Sequence, residues 1–514
     1  MSTRFPIWID AICINQQDNE EKDHQVQHMG EIYRNAKLVV VWLGPSKDNS
    51  NLAMQSIPAL SRTMRTIPFE IPNTELHSYD LPRERNPIWL ALGYLFQREW
   101  FRRLWTFQEV ALAKEILFVC GRKTVEWDPF ASAAEELYRL GLIRMCLNYQ
   151  GLEVYEDGFA SIINLSIARR ALAAPAEYGV PHTTYVLGIL DQKQVTDPRD
   201  KIYGMLGLVE KALREAIPIS YDSDQTEGAF KAYTDCAKAC IKEESPCYLQ
   251  ILQLVSGRAR DLKLPTWVPN FMSTRGVLRA FGDHLHAGQI PGQSMPRSAK
   301  IKSNILYLAG FCVDIVAEAI EEDFPFSGHP EDLNSMNRKL LEWEANCLEL
   351  ARRTYRDSPQ SEVTDGIPLG HLFTLTSNTR ARASEADDVK LLHAYQDNLL
   401  HTRSVAEERK NRSPRPGSKN SFYEVWSQIV HACGGRQYFS AEGGRTGLGP
   451  PEIMAGDTVC VIYDAQTLFL LRPMVKEDGE EGWFFVGDAY VYGMMDLRET
   501  LKGKRGEDQI FKIF

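Results

Sequence analysis

Along the first forty-four residues the hydrophobic pattern changes period twice. IWIDAI (7–12) is a short apolar run interrupted by Asp10 and followed by the polar turn CINQQ, which predicts a strand leading into a loop. From Asp18 onward, Val26, Met29, Ile32, Tyr33 and Ala36 recur at helical spacing, one apolar stripe. Asp18 with Glu21 three positions later has the spacing of a capping box, in which each side chain satisfies a free backbone N–H at the helix start. LVVVWLG (38–44) is then a β-branched run without polar alternation, expected of a strand covered on both faces, as in a parallel sheet. Strand, helix and buried strand make a βαβ unit. The fold class expected is therefore α/β, an open, mostly parallel sheet with flanking helices, followed by a helical region and a small antiparallel β unit.

Further along, residues 45–98 are rich in proline and polar side chains and are expected to wrap the surface, with a helix near 52–65. EWFRRLWTFQEVALA (99–113) reads as one helix with Phe101, Trp105 and Leu112 on a single face. ILFVC and KTVEW, separated by Gly121 and Arg122, read as a β-hairpin. Residues 131–255 look mainly helical, and in TDPRDKIYGMLGL (196–208) Asp197 is placed as an N-cap with Pro198 at the first helical position. From about 296 the pattern turns to short alternating runs, ILYLAGFCVDIV, GDTVCVIYD, TLFLLRP and WFFVGDAYVYG, the strands of a small antiparallel sheet or barrel. The chain is thus expected to divide into an α/β domain at 1–130, a mainly helical region at 131–295 and a β-rich unit at 296–514. Within the last lies a helical insertion at 330–435, whose portion 377–420 contains the solvated linker EERKNRSPRPGSK.

Composition then narrows the function classes. A length of 514 residues with 44% hydrophobic and 25% charged side chains is globular and sufficient for more than one core. The net charge of −10 opposes attraction to nucleic acid or an anionic membrane. No window reaches the roughly 18 consecutive apolar residues of a membrane span, and MSTRFPIWID lacks the apolar core of a secretion signal, so a soluble, cytoplasmic protein is expected. The ten cysteines form no CxxC pair and no zinc-finger cluster, which fits reduced thiols and no structural metal. Cys236 and Cys240, one helical turn apart, read as small apolar residues on a buried helix face rather than as a redox or metal pair. His284 and His286 form an HxH with no third ligand in reach, and no metal is assigned.

WIDAICINQQDNEEKDHQVQHMGEIYRNAKLVVVWLG resembles the middle motif of the HET domain, the fungal family of heterokaryon-incompatibility and cell-death proteins. Further family-like segments follow in order: EWFRRLWTFQEVALA, TDPRDKIYGMLGL, LPTWVPNF and a C-terminal β-rich tail, GDTVCVIYDAQTLFLLRP with FFVGDAYVYGMM. The family's first strand, a Tyr-x-Ala-Leu-Ser-Tyr-x-Trp-Gly-like motif, and the helix after it are absent. Two readings of this stand: a truncated gene model or fragment, or a member that has lost its first βα unit. The resemblance implies allorecognition or programmed-cell-death signalling through protein partners or self-association.

HET domains in turn resemble TIR domains, an α/β family that includes NAD-cleaving enzymes, which implies a TIR- or flavodoxin-like sheet and places Glu109 at the catalytic glutamate. A carboxylate there could stabilise the oxocarbenium-like charge that develops as nicotinamide leaves, making NAD a candidate substrate. Asp10, expected near the carboxyl end of a strand, and Asn15, in the turn beyond it, are the candidate ligand-binding residues. Each has a competing structural assignment: Glu109 to an ion pair with Arg102, Arg103 or Lys114, Asp10 to a turn cap, Asn15 to the turn itself. A third reading makes the chain a non-catalytic binding protein with a degenerate domain. There is no GxSxG elbow, no P-loop and no GxGxxG after a strand, and GLGPPEIMAGD leads into a strand rather than a helix.

Overall fold

A computed structural model describes residues 6–68, 73–146, 157–174, 183–191, 193–242, 248–255, 264–272, 287–288, 298–322, 324–325, 333–356, 363–364, 366–377, 391–397, 399, 402–403, 425, 428–496 and 507–514. His284, His286 and most of the linker expected at 377–420 lie outside them. The chain forms two compact units, Met1–Ala232 and Tyr233–Phe514. It is an α/β protein with one small mixed sheet and one larger, mainly antiparallel sheet.

The opening differs from the sequence expectation. Residues 7–12 form no strand; Asp10–Cys13 is a single helical turn (α1), and both Ile7 and Ile12 are 77% exposed. The Asp10 side chain takes up the backbone N–H of Ala11, which favours a turn. The helix that follows, Asn19–Asn35 (α2), is capped as expected by Asp18, whose Oδ1 accepts from Glu21 N at 3.1 Å. The reciprocal half of the box is displaced, because Glu21 Oε1 accepts from Asn15 N at 3.1 Å and so ties the helix to the preceding turn.

Val39–Trp42 (β1) is the first strand and pairs in parallel with Ile116–Cys120 (β2), which pairs antiparallel with Lys123–Glu126 (β3). The hairpin is the one expected: Gly121 occupies a φ of 57°, and its N–H closes on Gly44 O at 3.0 Å. The expectation that β1 is buried on both faces fails. Val39 and Val41 are buried, whereas Val40 and Trp42 remain 54% and 55% exposed. A β-branched run records strand propensity but not the number of covered faces. The buried face, Val39, Val41, Ile116, Phe118 and Val125, meets helix Trp127–Arg139 (α6), with Phe118 stacked on Phe130 at 3.9 Å.

Residues 45–98 do more than wrap the surface. Ser50–Arg65 (α3) matches the expected helix, and Pro87–Phe96 (α4), which the proline-rich context hid, buries Trp89, Leu92, Leu95 and Phe96. Pro87 stands at its first position and Asn86 caps it, so the proline signals a helix start rather than a loop. The 99–113 segment is not one helix: a 3-10 turn, Glu99–Arg102, breaks at Arg103 before Trp105–Ala111 (α5). The extended backbone of Arg103 there bridges Gln194, whose carbonyl accepts from Leu104 N at 3.0 Å.

In the second unit the 15-residue strand Ile305–Ala319 pairs in succession with Gln509–Ile513, Thr458–Ile462 and Gln437–Ala441. Thr458–Ile462, Leu468–Val475, Glu481–Val491 and Arg445–Gly449 continue the ring back to Gln437–Ala441, closing a barrel whose interior holds Phe311, Phe439, Val461, Leu470 and Val486. Closure removes the exposed edges an open sheet of this length would carry. The insertion is mainly helical where described, apart from a two-stranded antiparallel ladder of Val363–Thr364 with Ile367–Pro368; Leu333–Tyr355 and Leu369–Leu375 supply Trp343, Tyr355 and Phe373 to a second core. Cys236 and Cys240 are both buried in the helix Gln225–Lys242.

Candidate functional site

Tyr33 lies on the last turn of α2, and Glu109 on α5, one turn after Trp105. The Tyr33 hydroxyl donates to the Glu109 carboxylate, with the charges of Arg103 and Asp10 close enough to act on it. Trp8 meets Tyr33 edge-to-face at 5.8 Å and forms a wall of the group. Glu109 is half-buried, and loss of solvent pushes its pKa up to about 7; Arg103 and the Tyr33 hydrogen bond pull it down, and Asp10 pushes it further up. The carboxyl is therefore poised near neutrality, where it can take either protonation state.

Two of the three candidates thus come together. Asp10 acts on Glu109 through its charge, although it stands on a helical turn and not at the end of a strand. Asn15 is exposed and engaged locally: its Oδ1 accepts from Gln17 N at 3.2 Å while its own N–H reaches Glu21. Tyr33 was legible only as one of the apolar stripe, and Arg103 only as an alternative ion-pair partner. The location also differs from the expected carboxyl edge. α2 ends four residues before β1 begins and α5 ends five before β2, so Tyr33 and Glu109 stand toward the amino ends of the parallel pair.

A second polar cluster fixes the helices that carry these groups. Trp105 Nε1 donates to Asp200 Oδ2 at 3.0 Å, and the Tyr221 hydroxyl donates to the other oxygen of the same carboxylate. Burial raises the Asp200 pKa, partly offset by those two donors. Asp197 pairs with Arg199 through Nε at 2.9 Å and Nη2 at 2.7 Å, and it accepts from Arg199 N at 3.0 Å; the helix itself starts at Asp200, later than the Asp197 cap implied. Lys22 of α2 sits 3.5 Å above the Tyr221 ring, and Asp23 accepts from Tyr221 N at 2.9 Å.

Close backbone packing completes the clamp. A Cβ on Gly30 would stand 2.8 Å from Gly207 Cα, and Gly207 N donates to Gln108 Oε1 at 3.2 Å. α2, α5 and the 197–207 segment are thereby locked together, which holds Tyr33 against Glu109. Among the described residues no group of three or more His, Cys, Asp or Glu side chains could hold a metal ion, and no helix is long and apolar enough to cross a membrane.

Residues 2–109 match the family described as heterokaryon incompatibility protein (HET), and residues 394–511 match the Het-6 beta-barrel domain. The chain is similar to heterokaryon incompatibility protein 6, OR allele, of Neurospora crassa, 26% identical over an alignment that covers 96% of this chain and 81% of that protein. No solved structure matches.

Proposed function

We propose that the chain, which carries a HET match and a Het-6 barrel match, is a heterokaryon incompatibility protein that acts in fungal non-self recognition and programmed-cell-death signalling through its HET domain. The observation that carries this reading is the span of the likeness: it takes in the HET match, the barrel match and 96% of the chain between and around them. The cytoplasmic location, the assembly through protein partners or self-association and the division at about residues 130 and 295 belong to the same proposal. So does the reading of the first 130 residues as an open, mostly parallel TIR-like sheet, to which the β1–β2 pairing lends two strands. Expression of the full chain in a filamentous fungus tests it: growth arrest or death of the expressing cells is expected, and unimpaired growth with the protein accumulating would overturn it.

A second reading, cleavage of NAD, is favoured by the Glu109 cluster. In it the bond from ribose C1′ to the nicotinamide nitrogen breaks, nicotinamide leaves with the electron pair, and ionised Glu109 stabilises the cation until water adds and gives up a proton. Because the Glu109 pKa is about 7, nicotinamide release should rise as pH passes from 6 to 8. Absence of release, or release unchanged in Glu109→Gln, would exclude this reading while leaving the first intact.

A further inference from the structure

The opposite edge of the small sheet carries a cleft that the Glu109 cluster does not use. β1 ends at Trp42 and β2 at Cys120, so the loops that follow, Leu43 to Ser46 and the Gly121–Arg122 turn, meet at the carboxyl ends of two parallel strands. Open α/β sheets bind ligands at this edge, because the strands stop there and their loops diverge. Here the two loops are joined: Gly121 N donates to Gly44 O at 3.0 Å, and a Cβ on Gly121 would stand 2.9 Å from Ser46 Cβ. Behind them Arg98 holds the first loop, donating to Leu43 O at 3.3 Å, Pro45 O at 3.0 Å and Lys47 O at 3.1 Å. The result is a cleft of about 570 Å³ lined by Trp42, Ser46, Asn51, Gly121, Arg122 and Lys123 together with Pro45.

Its chemistry is specific. The lining holds two cationic side chains and no carboxylate in a chain whose net charge is −10. Neither Arg122 nor Lys123 forms an ion pair or side-chain hydrogen bond among the described residues, and the same holds for the side chains of Ser46 and Asn51. Trp42 lines the cleft and is largely exposed, so its indole offers a flat surface suited to a planar ring. Arg122 and Lys123 suit phosphate, the first by paired N–H donors and the second as a point charge. Ser46 and Asn51 add neutral donors and acceptors within the same wall.

We propose that this cleft binds a small nucleoside phosphate, with the base on Trp42 and the phosphates on Arg122 and Lys123. The volume lies within the range of small-molecule sites. The assignment does not depend on the Glu109 chemistry, since the two groups stand at opposite ends of the parallel pair.

Isothermal titration of the full chain with ADP, adenosine and inorganic pyrophosphate tests the proposal. ADP should bind about tenfold or more tightly than either fragment, since stacking and charge act together. Arg122→Ala and Trp42→Ala should each weaken ADP by about tenfold, with Trp42→Ala leaving pyrophosphate unaffected. Both side chains are exposed, and unchanged thermal unfolding of the variants separates lost binding from lost folding. Glu109→Gln should bind ADP as the parent does, so failure here is distinct from failure of the functional reading. No ADP binding at millimolar concentration, pyrophosphate binding as tight as ADP, or insensitivity to Trp42→Ala would overturn the proposal.

Discussion

Glu109 in the N-terminal unit and Asp488 in the barrel are both carboxylic acids whose pKa is raised by burial, yet they are held in opposite ways. Asp488 is fully enclosed against Arg436, with Nη1 to Oδ1 at 2.8 Å and Nη2 to Oδ2 at 3.1 Å, and the two side chains are 0% and 1% exposed. The pair is bidentate and closed to solvent, an arrangement that fixes a fold and can do little else. Glu109 keeps part of its surface, shares its neighbourhood with a second carboxylate, Asp10, and faces an exposed arginine and one hydroxyl. Underpaired and titrating near neutrality, it has the properties of a functional group. Pairing and access to solvent together separate the two.

The contrast can be broken most forcefully in the barrel. Arg436→Ala strands the Asp488 charge in the core and should destabilise the C-terminal unit by about 3–5 kcal/mol in urea unfolding. The double replacement Arg436→Met with Asp488→Leu should cost much less, because no charge is left behind. A small effect of the single substitution would mean that the pair is solvated after all.

Glu109 should behave in the reverse sense. Its folded pKa of about 7 lies above its ordinary value of 4.5, so between those limits the native state binds a proton that the unfolded chain does not. Stability therefore falls as pH rises through that window, by about 3–4 kcal/mol at most. Glu109→Gln should abolish this dependence and stabilise the N-terminal unit above pH 7, measured as its thermal midpoint from pH 5 to 8. A parallel decline in parent and variant would remove Glu109 as the titrating group.

Tyr33→Phe sharpens the same comparison at smaller scale. The hydroxyl stabilises the ionised form of Glu109, so its removal should move the midpoint of that pH profile upward by about one unit. At the bottom of the scale, Arg353 and Glu318 form an exposed bidentate pair at 2.9 Å, and Arg353→Ala should change unfolding by less than about 1 kcal/mol. A larger loss there would mean that exposure is a poor guide to what a charge pair contributes.

Local signals in the sequence carried different parts of this far. The Asp18 cap, the α2 stripe, the Gly121 hairpin and the alternating C-terminal strands were readable because turn chemistry and periodicity act within a few residues. The first helical turn and the open face of β1 were not, since a six-residue apolar run is compatible with either state and coverage depends on distant chain. α4 was obscured because Pro87 marks a helix start as readily as a loop. Glu109 was singled out only by the resemblance of its helix to the TIR family, and Tyr33 and Arg103 became its neighbours through the Gly30–Gly207 contact and the break at Arg103, which are tertiary facts.

The most direct test is expression of the full chain and of Glu109→Gln at matched levels in a filamentous fungus, with growth as the readout. The parent should arrest growth, and the variant should accumulate folded protein without arrest. Arrest of equal strength by Glu109→Gln would contradict the placing of function at the Glu109 cluster.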